Sequence, residues 1–125
     1  DAGDGYFIKP TVFENIPEDS RIVKEEVFGP VVVINTFKTE DEAIQKANDS
    51  EFGLYAAVFT KDLERAVRAS KLLEAGTVGV NCTSPNIAKD MPFGGYKMSG
   101  VGREGFLNSL DNYLETKTVL IKMSS

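Results

Sequence analysis

The sequence predicts an α/β fold organised around a βαβαβ unit, and three observations carry that prediction. Three runs rich in β-branched, aromatic and small apolar residues, VVVINTF at 31–37, LYAAVFT at 54–60 and TVGVN at 77–81, have the length and character of strands. The two stretches between them place apolar residues at helical spacing behind polar N-terminal signals. The resulting order, strand–helix–strand–helix–strand, is the one that gives parallel pairing with crossover connections.

Taken in order, Asp1–Gly5 reads as loop, and Tyr6–Phe13 is extended but interrupted by Pro10. Ile16-Pro17-Glu18-Asp19 is a turn, and Arg21–Glu26 is a short helical turn that Gly29-Pro30 would stop. The 31–37 run alternates little, as expected of a strand covered on both faces. Thr39-Glu40-Asp41-Glu42 is a capping box, opening a helix that directs Ala43, Ile44 and Ala47 to the core. Thr60 is positioned to cap the next helix, with Asp62 in its first turn. Leu63, Ala66, Val67, Ser70 and Leu73 form the inward face there, and Ala75-Gly76 ends it.

From Cys82 to Gly105 the chain is dense in glycine and lacks periodicity, the mark of a functional loop rather than filler. Phe106, Leu110 and Leu114 resume helical spacing. In Thr116–Met123 the residues Thr118, Leu120 and Lys122 alternate with Val119, Ile121 and Met123, as in an edge strand that wants a partner.

The chain has 125 residues, enough for one domain, and 42% hydrophobic with 26% charged residues is a globular mixture. Its formal charge of −5 argues against a nucleic-acid partner, because phosphate-backbone binding relies on clustered Lys and Arg. Its apolar runs are too short to span a membrane, and no segment resembles a signal peptide. With one cysteine and no histidine, an internal disulfide, the usual zinc sets and histidine-based nucleophilic triads are excluded.

Four motifs bear on chemistry. Gly100-Val101-Gly102-Arg103-Glu104-Gly105 matches G-x-G-x-x-G, but loop rather than strand precedes it, so it reads as a chance match. Cys82 follows a strand end with no base to activate it and reads as a buried small hydrophobe. Glu25 and Glu26, before Val27-Phe28-Gly29-Pro30, form either a charged surface turn or a carboxylate site able to accept the two hydroxyls of a sugar diol. Arg103 and Glu104 open the last helix, where they are either a solvated pair or a site at which Arg103 holds a tail carboxylate such as Glu115.

These residues carry a resemblance. Gly5-Tyr6-Phe7-Ile8-Lys9-Pro10-Thr11-Val12, Lys24-Glu25-Glu26-Val27-Phe28-Gly29-Pro30, Pro92-Phe93-Gly94-Gly95-Tyr96-Lys97-Met98-Ser99-Gly100 and Gly102-Arg103-Glu104 resemble the C-terminal part of the NAD(P)-dependent aldehyde dehydrogenase superfamily. The ending Tyr113-Leu114-Glu115-Thr116-Lys117-Thr118-Val119 resembles that of its non-specific, tetrameric members. The likeness runs through nearly the whole chain in one order.

The resemblance implies a partial catalytic domain over 1–114 and an oligomerisation strand with tail over 115–125. It makes Glu26 a hydrogen-bond acceptor for the nicotinamide ribose of NAD, with NADP as the alternative, and Phe28 a neighbour of the nicotinamide ring. Phe93 becomes an aromatic wall of the substrate channel, and Glu104 a buried supporting acid of the active site. Arg103 and Glu115 become a pair at the subunit interface, while Tyr96, Lys97 and Ser99 are scaffolding. The implied partners are an aldehyde substrate and the other subunits of a homotetramer or homodimer, with no metal. The implied compartment is the cytoplasm, or alternatively the mitochondrial matrix. The family's catalytic cysteine and general base have no counterpart here, so the chain is expected to be inactive alone, and Gly79 stands where many relatives carry tryptophan. The other readings are a non-enzymatic interaction module and a stand-alone dinucleotide-binding domain.

Overall fold

A computed structural model of the chain describes residues 3–83 and 90–123. The glycine-rich stretch is therefore described only from residue 90 onward, and its 84–89 portion lies outside the described residues. The chain divides into two compact units, residues 1–51 and 52–125.

In the first unit β1 (Thr11–Glu14) leads through α1 (Arg21–Lys24) to β2 (Val31–Ile34), and α2 (Glu40–Asn48) follows. β1 and β2 pair in parallel, from Thr11 opposite Val31 to Glu14 opposite Ile34. The segment expected only to be extended is thus a true strand. It starts immediately after Pro10, which has no N–H to give, and Thr11 donates the first bond, to the Pro30 carbonyl at 2.9 Å. β2 is shorter than expected because the Asn35 side chain takes over from the ladder. Its Oδ1 accepts from the Ile16 amide at 3.0 Å, and its Nδ2 donates to the Ile16 carbonyl at 2.9 Å. Val31 and Val33 are half-buried while Val32 and Ile34 are exposed, so one face of β2 is covered rather than two.

α1 ends at Lys24, well before Gly29-Pro30. α2 begins as expected at Thr39, whose Oγ1 accepts from the Glu42 amide at 3.2 Å. The return half of the box differs: the Glu42 carboxylate accepts from the Lys38 amide at 2.7 Å, one residue before the cap. That bond first, and then Lys46, hold the Glu42 carboxyl below the ordinary carboxylate range. Ala43 and Ile44 are half-buried, but Ala47 is exposed.

In the second unit come β3 (Phe52–Gly53), β4 (Tyr55–Val58), α3 (Leu63–Leu72), β5 (Thr77–Val80), β6 (Tyr96–Lys97) and a 3₁₀ helix, Phe106–Asn112. β4 and β5 pair in parallel, from Tyr55 opposite Thr77 to Val58 opposite Val80, with α3 as the crossover. The strand–helix alternation read from sequence is therefore the architecture, completed by an antiparallel pairing of β3 with β6.

The cap of α3 is Asp62, not Thr60. Its Oδ1 accepts from the Arg65 amide at 3.1 Å, while the Thr60 hydroxyl accepts from the Asp62 amide at 3.1 Å. The buried face is also rotated from the expected one. Ala66 and Ala69 are buried, whereas Leu63 is 76% exposed and Val67 is exposed as well. Small side chains let the helix approach the parallel pair closely, which leaves the bulky residues outside.

Gly79 has a specific reason. A Cβ there would collide with the Tyr55 hydroxyl and the Cys82 carbonyl. Tyr55 fills that space and donates to the Cys82 carbonyl at 3.2 Å. Burial chiefly, with the neighbouring Cys82, raises the Tyr55 pKa. Cys82 itself is exposed, contrary to the buried small hydrophobe expected.

The last helical segment is 3₁₀ rather than α and stops at Asn112, short of Leu114. It starts from Gly105 at φ +100°, with an i→i+3 bond from the Asn108 amide to the Gly105 carbonyl at 3.0 Å. Residues 114–123 are exposed and form neither helix nor strand. An alternating segment becomes a strand only against another edge, and none meets it among the described residues.

Candidate functional site

The loop between α1 and β2 separates two adjacent carboxylates. One turn after Arg21, Glu25 lies within reach of the guanidinium, which grips it through both oxygens: Nε to Oε1 at 2.8 Å and Nη2 to Oε2 at 2.7 Å. This contact lowers the Glu25 pKa and raises that of Arg21. Glu26 is exposed and accepts no hydrogen bond among the described residues. The following backbone is drawn tight by two three-residue turns, Gly29 N to Val27 O and Val31 N to Gly29 O, both at 2.8 Å. Phe28 is the middle residue of the first turn and stands 91% exposed. The sequence pair is thus an occupied carboxylate followed by an open one beside a free aromatic face.

The second cluster is in the glycine-rich stretch. Phe93 and Glu104 form an isolated antiparallel bridge, each amide donating to the other's carbonyl at 2.8 Å. Residues eleven positions apart in sequence are thereby neighbours. Phe93 is half-buried, and the Glu104 side chain is exposed. Between them Arg103 Nη1 donates to the Gly95 carbonyl at 3.0 Å and to the Gly102 carbonyl at 2.7 Å. Its guanidinium lies 5.4 Å from the centre of the Tyr96 ring. The Arg103 guanidinium is thus spent on the loop's own carbonyls, and Glu115 lies in the exposed 114–123 segment. Asn112 Nδ2 donates to the Arg103 carbonyl at 2.8 Å, and the Gly105 amide donates to Ser109 Oγ at 3.0 Å. Leu54, Phe93, Arg103, Glu104 and Asn112 line a cleft of about 390 Å³ here.

The structure therefore brings Phe93 and Glu104 together through their backbone bridge, with Arg103 adjacent, while Glu26 and Phe28 stand exposed on the loop between α1 and β2. The G-x-G-x-x-G match lies in irregular backbone, with Gly100, Gly102 and Gly105 all at positive φ. Sequence reasoning missed Asn81, at φ +56°, which exchanges bonds with Thr60 at 2.8 and 2.9 Å and ties the exits of β4 and β5. An asparagine at a strand end is the signal that was available. Among the described residues no group of three or more His, Cys, Asp or Glu is placed to hold a metal ion, and no helix is long and apolar enough to cross a membrane.

Comparison with known proteins supplies the family. The profile of the aldehyde dehydrogenase family matches residues 1–119. Aldehyde dehydrogenase 1A1 of Gallus gallus is 56% identical over 119 residues, which are 95% of this chain and 23% of that protein. Aldehyde dehydrogenase, cytosolic 2 of Macroscelides proboscideus is 55% identical over 96% of this chain and 50% of its own length. Among solved structures, the Mycobacterium tuberculosis aldehyde dehydrogenase complexed with NAD+ superposes with a TM-score of 0.86 at 40% identity, over 97% of this chain and 25% of that one. The Staphylococcus aureus betaine aldehyde dehydrogenase in complex with NAD+ gives 0.83 at 52% identity, over 91% and 22%. This chain spans about a quarter of the length of most of these relatives. A profile covering nearly every residue, joined to a shared fold at such identity, makes the chain a member of the aldehyde dehydrogenase family.

Proposed function

We propose that the chain is the C-terminal segment of a non-specific, oligomeric NAD(P)+-dependent aldehyde dehydrogenase, in which an aldehyde, water and NAD(P)+ give a carboxylate, NAD(P)H and two protons. The observation that carries this is the division of labour at Glu25 and Glu26. Arg21 occupies the first carboxylate, which leaves the second open beside the exposed ring of Phe28. An open carboxylate accepts from both hydroxyls of a ribose, and an aromatic face packs against a flat heterocycle, so the residues present fit a nicotinamide nucleoside. When bound, NAD(P)+ supplies the hydride acceptor for oxidation of the aldehyde carbon.

Glu26 would fix the ribose and Phe28 would limit movement of the ring. Hydride transfer tolerates little displacement, so this positioning bears directly on rate. Phe93 would give the aldehyde channel an aromatic wall, and Glu104 a nearby carboxylate. Residues 1–114 would belong to the catalytic domain. Residues 115–125 would form the strand that joins subunits into a tetramer or dimer, and Arg103 and Glu115 would face that junction. The nucleophile and general base would come from elsewhere in the protein, so the 125 residues alone would be inactive. NAD is the favoured cofactor, in keeping with the NAD+ complexes of the Mycobacterium and Staphylococcus relatives. A cytosolic location accords with the name of the Macroscelides relative, and the mitochondrial matrix is the alternative.

The test is the full-length protein that carries this segment. It should reduce NAD(P)+ in the presence of aldehydes, and Glu26→Ala should lower turnover roughly tenfold or more through misplacement of the cofactor. Unchanged cofactor affinity and turnover in Glu26→Ala would sink the assignment.

A further inference from the structure

Phe93 and Glu104 hold each other through both backbone bonds, so whatever fixes the loop places both side chains at once. Arg103 ties the loop to itself, and other contacts tie it to the sheet side of the unit. β6 is only two residues long, with Lys97 opposite Phe52 and Tyr96 opposite Gly53, too little pairing to hold a glycine-rich segment by itself. Ser99 Oγ adds to it by accepting from the amide of buried Gly53 at 3.0 Å. Lys97 Nζ reaches Glu74 Oε2 at 2.7 Å, on the turn between α3 and β5. On that turn the Gly76 amide donates to the Gly53 carbonyl at 2.9 Å, and a Cβ on Gly76 would collide with the Gly94 carbonyl. Gly94 directly follows Phe93, so the 74–76 turn, β3 and residues 94–99 meet almost backbone to backbone beside the bridge.

We propose that Lys97 and Ser99 are positioning residues that latch the glycine-rich loop to the 74–76 turn and β3, and so set where Phe93 and Glu104 stand. The inference rests on the proposed function for its catalytic consequence, and on the hydrogen bonds above for its geometry. Lys97 itself stands at φ +54°, a region uncommon for a non-glycine residue, and its ammonium meets Glu74 from a two-residue strand.

The experiment uses the full-length protein with Lys97→Met, Ser99→Ala and, as the conservative control, Lys97→Arg. Amide hydrogen exchange at Phe93 and Glu104 is read against Asn81, whose amide bonds Val58 in the β4–β5 pair. Exchange at Phe93 and Glu104 should quicken about tenfold in Lys97→Met and Ser99→Ala, stay near wild type in Lys97→Arg, and leave Asn81 protected. The KM for aldehyde should rise several-fold in the first two variants with the KM for NAD+ unchanged. Unaltered exchange at Phe93 and Glu104 would overturn the latch. So would an equal loss of protection at Asn81 with both KM values unchanged, which marks a merely stabilising role. Should Lys97→Met fail to fold, Glu74→Gln carries the same expectation from the partner's side. A folded wild type that oxidises no aldehyde would overturn the proposed function instead, and exchange would still decide the latch.

Discussion

Two neighbouring glutamates with the same intrinsic chemistry have different fates because only one lies four residues after an arginine. Glu25 is neutralised by Arg21, and Glu26 keeps its acceptor capacity. The hydrogen bond from Arg21 depresses the Glu25 pKa, so the stabilisation it gives is present above the ordinary carboxylate range and is lost as pH falls through the lowered folded value. Arg21→Ala should raise the Glu25 pKa back into the ordinary carboxylate range, as NMR of its side-chain carboxyl would read. Arg103 is the other residue whose role depends on its choice of partner. Its spacing suggested a tail carboxylate, yet two loop carbonyls take the guanidinium because they are only one and eight residues away and already held in place.

Among the elements, the helix starts were legible in type and partly wrong in detail. Thr39 caps α2 as its motif predicts, and Thr39→Ala should cost about 1 kcal/mol, read as a shift in the denaturant midpoint. At α3 the sequence pointed to Thr60 as the cap, with Asp62 in the first turn. The structure uses Asp62 because Thr60 is engaged by Asn81 through both backbone groups, which fixes it outside the helix. The buried face of α3 was misjudged for a related reason. Periodicity identifies a stripe, but alanine at the centre of that stripe is what permits close packing on a parallel pair, and leucine and valine at its edge remain outside. At β5, Gly79→Ala should cost about 1–3 kcal/mol, because the added methyl displaces the Tyr55 hydroxyl or the Cys82 carbonyl. An unchanged unfolding midpoint would show that the β5 exit gives way freely.

For the whole molecule the decisive quantity is surface. The chain exposes 10750 Å². A folded monomer of its mass would expose about 6,600 Å², and two separate bodies with the sizes of its two units about 7,900 Å². Among the described residues Ala66 and Ala69 are the only buried hydrophobic ones, while Phe28, Leu63, Leu120 and Ile121 stand open. A core this small leaves apolar surface for other polypeptide to cover. The isolated 125 residues should therefore bind a hydrophobic dye, associate in solution and oxidise no aldehyde. A monodisperse monomer without dye binding would contradict the first two expectations. The tail belongs to the same account: its alternation is complete in the sequence, but a strand is a property of two edges, and the second edge is not among the described residues.

The sequence by itself determined the strand–helix alternation, the cap of α2, the loop character of the glycine-rich stretch and, through its motifs, the family. Each of these rests on residues within a few positions of one another or on a pattern repeated along one element. The tertiary structure decided which carbonyls Arg103 holds, how α3 is rotated, why Gly79 cannot carry a side chain, and that Phe93 and Glu104 are one bridge. Those outcomes depend on segments that meet only after the chain has closed on itself, where the nearest competing group wins and no local pattern records which one that will be.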